Sequence, residues 1–127
     1  MANAIKVANW LQSRAEVKEV LYPALESHPG HAIWKRDFDG AASLFSFVLN
    51  PAGNKAVTTF VDTLELFGIG SSWGGYESLI QVARPEKVRS ATTWSPGGPT
   101  IRVHIGLEDP DDIIADLDGA FAAMKKA

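Results

Sequence analysis

The chain has 127 residues, 12 Lys and Arg against 15 Asp and Glu, a net charge of −3, 46% hydrophobic residues and no Cys. That length suits one domain, which can bury about two thirds of its unfolded surface without a disulfide or metal staple. The apolar share excludes a disordered chain, the acidic balance excludes the basic footprint of a nucleic-acid binder, and the lack of Cys excludes thiolate metal sites and thiol nucleophiles.

No apolar run approaches the roughly 20 residues of a membrane helix, and the first residues form no signal core. A soluble, cytoplasmic protein with neither a membrane nor a nucleic-acid partner is expected. Asn3 to Arg14 reads as a helix, with Asn3 as cap and Ala4, Val7, Ala8, Leu11 and Ala15 near helical spacing. Val17 to Tyr22 reads as a short edge strand stopped by Pro23, Ala24 to Gly30 as loop, and His31 to Asp37 as one or two helical turns. Ser43 to Leu49 carries Phe45, Phe47 and Leu49 on one face and Leu44, Ser46 and Val48 on the other. Apolar residues on both faces predict a central strand covered on both sides.

Asn54 to Leu66 is a second predicted helix, with Ala56, Val57, Phe60, Val61 and Leu64 in one stripe. Gly68 to Gly75 is too rich in Gly and Ser for regular structure. Leu79 to Ala83 reads as a strand closed by Pro85, and Arg84 to Pro99 as a long polar connection. Thr100 to Ile105 alternates, with Ile101, Val103 and Ile105 on one side and Thr100, Arg102 and His104 on the other. The last helix has Asp109 as cap, Pro110 at the first helical position and Asp111 and Asp112 in the first turn. Ile113, Ile114, Leu117, Phe121 and Met124 form its buried stripe, and Lys125 and Lys126 close its negative end. Helices and strands do not alternate strictly, so the fold class is α/β of the α+β type, with helices on one face of a sheet.

Four features bear on chemistry. Arg102, mid-strand, can clamp a carboxylate with two parallel hydrogen bonds; the alternative is a solvent-facing residue paired with a surface acid. His104 is a candidate acid, base or ligand, but His28 and His31 sit apart from it in a turn-like His-Pro-Gly-His segment, so no metal site is expected. The run Gly68 to Tyr76 suits a ligand-facing loop, since glycine lets backbone approach a ligand, yet it lacks the ending of a phosphate-binding loop. The acids from Glu108 to Asp112 read as a helix cap rather than a calcium site, and neither Ser72 nor Ser78 lies in a nucleophile elbow. Composition and spacing stop there, at an α/β domain with a candidate anion-binding Arg.

Two longer runs carry a resemblance. Phe67-Gly68-Ile69-Gly70-Ser71-Ser72-Trp73-Gly74-Gly75-Tyr76-Glu77-Ser78-Leu79-Ile80 resembles a signature of the cystathionine β-lyases, pyridoxal-phosphate enzymes of the cysteine and methionine metabolism family. Ile101-Arg102-Val103-His104-Ile105-Gly106-Leu107-Glu108-Asp109-Pro110, running on to Leu117, is similar to that family's C-terminal ending. Trp34 to Phe38 and Leu44 to Leu49 fit as well. The sequence departs from the family pattern at Pro99-Thr100, where a Leu usually precedes Ile-Arg.

The resemblance implies that residues 1–127 are one C-terminal domain of a larger enzyme, without its cofactor-binding domain and its catalytic lysine. It implies the small domain of a fold-type I pyridoxal-phosphate enzyme, a mainly antiparallel sheet with helices on one face, in a homo-oligomer that is a tetramer in the family. Arg102 would hold the α-carboxylate of an amino-acid substrate, Ser72 and Trp73 would orient that substrate, and Tyr76 and Glu77 would support the loop. Relatives acting at the γ-carbon generally show Ser-Leu-Gly where this chain has Ser72-Trp73-Gly74. The Trp therefore implies β-elimination, with cystathionine giving homocysteine, pyruvate and ammonia. The resemblance also admits a stand-alone binding or interaction module derived from such an enzyme.

Overall fold

Side chains alternate across a strand, and the alternation at residues 100–105 divides the molecule into a dry layer and a half-open face. The computed structural model covers residues 1–127. Its helices are α1 (Ala2–Gln12), α2 (His31–Asp37), α3 (Asn54–Thr63) and α4 (Pro110–Met124); its strands are β1 (Val17–Leu21), β2 (Leu44–Leu49), β3 (Gly68–Ile69), β4 (Leu79–Ala83) and β5 (Thr100–His104). The sheet runs β1-β2-β5-β4-β3, antiparallel throughout except for the parallel β3–β4 pair. No helix is long and apolar enough to cross a membrane.

Phe45, Phe47 and Leu49 of β2, Ile80 of β4 and Ile101 and Val103 of β5 share one side of the sheet. There they join the buried stripes of α1, α3 and α4 in a single apolar cluster, which gives the expected sheet with helices on one face. Its centre is aromatic: the Phe60 and Phe121 rings lie 4.7 Å apart, and Phe47 meets Phe60 edge-on at 6.5 Å. In α4, Asp109 caps the helix by accepting the Asp111 N–H at 2.8 Å, and Ile113, Leu117, Ala120 and Phe121 are fully buried. Ile114 and Met124 sit at the margin of the cluster. Just past the helix, Lys125 pairs with buried Glu16 at 2.6 Å and ties the α4 end to the start of β1.

Several local expectations are corrected. Asn3 is not a cap: α1 begins at Ala2, and the Asn3 amide donates to the Glu108 carbonyl at 3.3 Å. The helix ends at Gln12 and leaves Ala15 exposed beyond it. α3 stops at Thr63 because the Asp116 carboxylate of α4 accepts the Glu65 and Leu66 N–H groups, both at 2.9 Å. The Gly-rich run does contain regular structure, since Gly68 and Gly70 N–H groups reach the Ser78 and Ile80 carbonyls at 3.0 and 3.1 Å and build β3 from backbone alone. β2 is covered on its second face at one end only: Val48 is buried opposite Thr100, whereas Leu44 and Ser46 are half-buried.

The departure at Pro99-Thr100 leaves β5 intact. Thr100 is buried in register between Val48 and Ala83, and its hydroxyl oxygen accepts the Trp94 indole N–H at 3.0 Å. Emptying the aromatic centre is the severe lesion for this fold. Phe121→Ala is expected to cost about 3–5 kcal/mol, whereas Phe38→Ala, at a side chain 63% exposed, changes stability by less than about 0.5 kcal/mol. Urea unfolding midpoints of the two variants, followed by far-ultraviolet circular dichroism, check this ordering.

Candidate functional site

Arg102 stands on the open face of β5, flanked in register by Ser46 of β2 and Gln81 of β4. Its Nη2 donates to the Ser71 carbonyl at 2.5 Å, so the side chain reaches toward the Gly-rich loop. Of the five ion pairs in the molecule, none includes Arg102. Its Nε is buried and has no hydrogen-bond partner. A buried unmade hydrogen bond costs about 1–3 kcal/mol, and more when the group is charged. A planar donor held in that state on a rigid strand suits a carboxylate from outside the chain.

Two residues along the same face, His104 is almost fully buried. Its Nδ1 accepts the Gly74 N–H at 3.4 Å and its Nε2 faces the Gly75 carbonyl at 3.0 Å. That pattern requires the neutral ring with its proton on Nε2. Beyond the strand, Glu108 accepts the Ser78 N–H at 2.8 Å and the Ser78 hydroxyl at 2.9 Å, and the Ser78 hydroxyl oxygen accepts the Gly106 N–H at 2.9 Å. The Leu107 N–H donates to the Tyr76 carbonyl at 2.8 Å. A side chain on Gly106 would run into the Tyr76 carbonyl and the Glu77 backbone, so only glycine lets the segments after β5 and before β4 approach this closely. Burial pushes the Glu108 carboxyl upward, but the hydrogen bonds from the Ser78 N–H and hydroxyl outweigh it and hold Glu108 below its ordinary value of 4.5.

The structure therefore brings Arg102 against the loop that carries Ser72 and Trp73. The contact is to the carbonyl of Ser71; Ser72 is exposed and Trp73 is 60% exposed on the same turn. Tyr76 and Glu77 do not support the loop through their side chains, which face solvent; only the Tyr76 carbonyl does so. His28 accepts the Gly30 N–H at 3.0 Å, and His31 Nδ1 lies 2.9 Å from the Pro23 carbonyl, both within the local turn. The Ser78–Glu108–Gly106 hub and the loop-holding role of His104 were missed in the sequence. The signal was a serine just before one strand and Gly-x-Glu just after its antiparallel neighbour.

A half-open sheet face carries a strand-borne guanidinium that meets a glycine-rich rim and keeps one buried donor unmatched. The chain belongs to the Cys/Met metabolism PLP-dependent enzyme family, whose model matches residues 1–122. It is 46% identical over 126 residues to cystathionine beta-lyase MetC of Escherichia coli strain K12, covering 96% of this chain and 32% of that enzyme. It is 44% identical over 123 residues to the L-alanine/L-glutamate racemase of Wolbachia pipientis wMel, covering 95% of this chain and 30% of the racemase. Among solved structures it is similar to cystathionine gamma synthase from Xanthomonas oryzae pv. oryzae in complex with cystathionine. That likeness has a TM-score of 0.83 and 33% identity, and covers 98% of this chain and 33% of the synthase. The chain thus spans about a third of the length of the relatives it matches.

Pyridoxal phosphate is the cofactor of this family. The orphaned Nε of Arg102 fits a substrate carboxylate. A covalent anchor for the cofactor is a different matter. Lys6 pairs with Asp111, Lys18 with the Pro96 carbonyl and Lys125 with Glu16, while Lys35, Lys55, Lys87 and Lys126 are exposed. These residues do not fit the cofactor's aldehyde.

Because folding lowers the affinity of Glu108 for its proton, Glu108 contributes stability that is complete above its ordinary value and lost as pH falls through its folded one. Glu16 behaves alike: burial raises its carboxyl, and Lys125, its own N–H and Arg14 bring it below the ordinary value of 4.5. Glu108→Gln is expected to flatten the fall in stability below about pH 4.5, read as urea midpoints at successive pH values; a slope equal to that of the unmodified protein contradicts the assignment.

Proposed function

We propose that this chain supplies the substrate-carboxylate grip of a pyridoxal-phosphate-dependent carbon–sulfur β-lyase. In this reading it is the small C-terminal domain of a homo-oligomeric, cytoplasmic enzyme that cleaves cystathionine to homocysteine, pyruvate and ammonia. The carrying observation is the Arg102 guanidinium, fixed to the Ser71 carbonyl and free of any acid, with its buried Nε unmatched. The 46% identity to a cystathionine beta-lyase supports the substrate class, and Trp73 supports β-elimination over γ-chemistry.

In the full-length enzyme, pyridoxal phosphate would supply the electron sink. The residues of this chain contribute position. Arg102 holds the α-carboxylate by two N–H donors, which leaves the substrate one rotation to settle about its Cα. Ser72 and Trp73, exposed on the adjoining turn, border the carboxylate end and narrow the orientations open to the rest of the substrate. None of these groups removes a proton, so the chain taken by itself binds without turning over.

A second reading is favoured by the 44% identity to a racemase. A carboxylate grip serves racemisation as well as elimination. The two are separated by product. The 127-residue chain mixed with pyridoxal phosphate and L-cystathionine is expected to release no pyruvate; sustained turnover overturns the purely positional role. In the cofactor-loaded natural gene product, pyruvate from L-cystathionine is expected, and D-alanine formed from L-alanine without pyruvate selects the racemase reading instead. Arg102→Leu in that enzyme is expected to raise KM for the amino acid at least about 30-fold with the cofactor absorption band unchanged. An unaltered KM removes the carboxylate role.

A further inference from the structure

We propose that His104 is the positioning residue that sets the Ser72–Trp73 turn against Arg102, and so governs how tightly the substrate carboxylate is held. The proposal rests on the carboxylate-grip reading above. Residues 71–77 all have exposed side chains, so no apolar anchor fixes this turn. Its fixed points are hydrogen bonds. Arg102 holds the Ser71 carbonyl at one end, His104 holds the Gly74 N–H and Gly75 carbonyl at the other, and the Leu107 N–H holds Tyr76 just beyond. Ser72 and Trp73 are the two residues suspended between these clamps. Gly74 has a φ of +87°, so the chain reverses at the point where His104 grips it.

The choice of residue also speaks for positioning. His104 is flanked in register by Leu44 and Leu79, where an aliphatic side chain would fill the space. Both ring nitrogens are instead spent on one dipeptide of the loop, as acceptor and as donor. An Arg and a His at i and i+2 on one rigid strand therefore act as a two-point gauge for a five-residue turn. Loosening the far clamp frees the Ser71 carbonyl, and the guanidinium then loses the partner that aims it.

The test compares His104→Leu, which keeps the bulk, with His104→Gln, whose amide can still donate to the Gly75 carbonyl, in the cofactor-loaded natural gene product. His104→Leu is expected to raise KM for L-cystathionine about 10-fold, the worth of two modest hydrogen bonds, with kcat within about 3-fold. His104→Gln is expected to recover at least half of that loss on a logarithmic scale, and the Trp73 indole N–H resonance to move in the Leu variant and return in the Gln variant. If Arg102→Leu raises KM and His104→Leu does not, the positioning role falls while the grip stands. If neither moves KM, the grip itself falls. Should His104→Leu fail to fold, ring nitrogen-15 shifts of unmodified protein decide: a proton on Nδ1 in place of Nε2 overturns the proposal.

Discussion

A buried donor of a charged guanidinium with no partner is a costly thing for a fold to hold. The Nε of Arg102 is such a donor, and the arrangement around it makes sense as the scaffold that tolerates it. The strand fixes its backbone, the Ser71 carbonyl takes one of its donors, and the half-open face lets part of the head remain hydrated. The stabilising free energy comes from the opposite side of the sheet, where the aromatic layer of Phe47, Phe60 and Phe121 binds three helices to the strands. The packed core and the Arg102–loop contact thus lie on the two faces of the same β5, through alternate residues of one five-residue segment.

The loop opposite Arg102 is organised by a different principle. Its side chains bury nothing, so its shape depends on polar groups lent by neighbouring segments: His104, the Leu107 N–H and the Ser78–Glu108 pair. Relatives named as a lyase, a synthase and a racemase match this chain along nearly its whole length at 33–46% identity.

Much of this was legible in the chain. The alternation at 100–105 and the Asp109-Pro110 start of α4 were plain because burial and capping act on neighbouring residues. Arg102 and the turn carrying Ser72 and Trp73 stood out in the chain, and the structure sets the guanidinium against the Ser71 carbonyl of that turn. What stayed hidden depends on contacts between distant segments. Asn3 left its expected capping role for the Glu108 carbonyl, Asp116 ended α3 from another helix, and β3 formed in a glycine run because a ladder needs only backbone partners. His104 looked like an isolated titratable group until the loop it holds was folded over it.

β4 and β5 are antiparallel, so the hairpin has two ends with different duties. The His104 contacts with Gly74 and Gly75 lie at one end, and the Arg84–Pro99 connection closes the other, with residues 88–93 exposed. That separation makes the connection a place where extra length can be spliced in, by drift or by design, without disturbing the loop that Arg102 and His104 hold. A fluorophore or a fused tag placed there would report on the domain from outside.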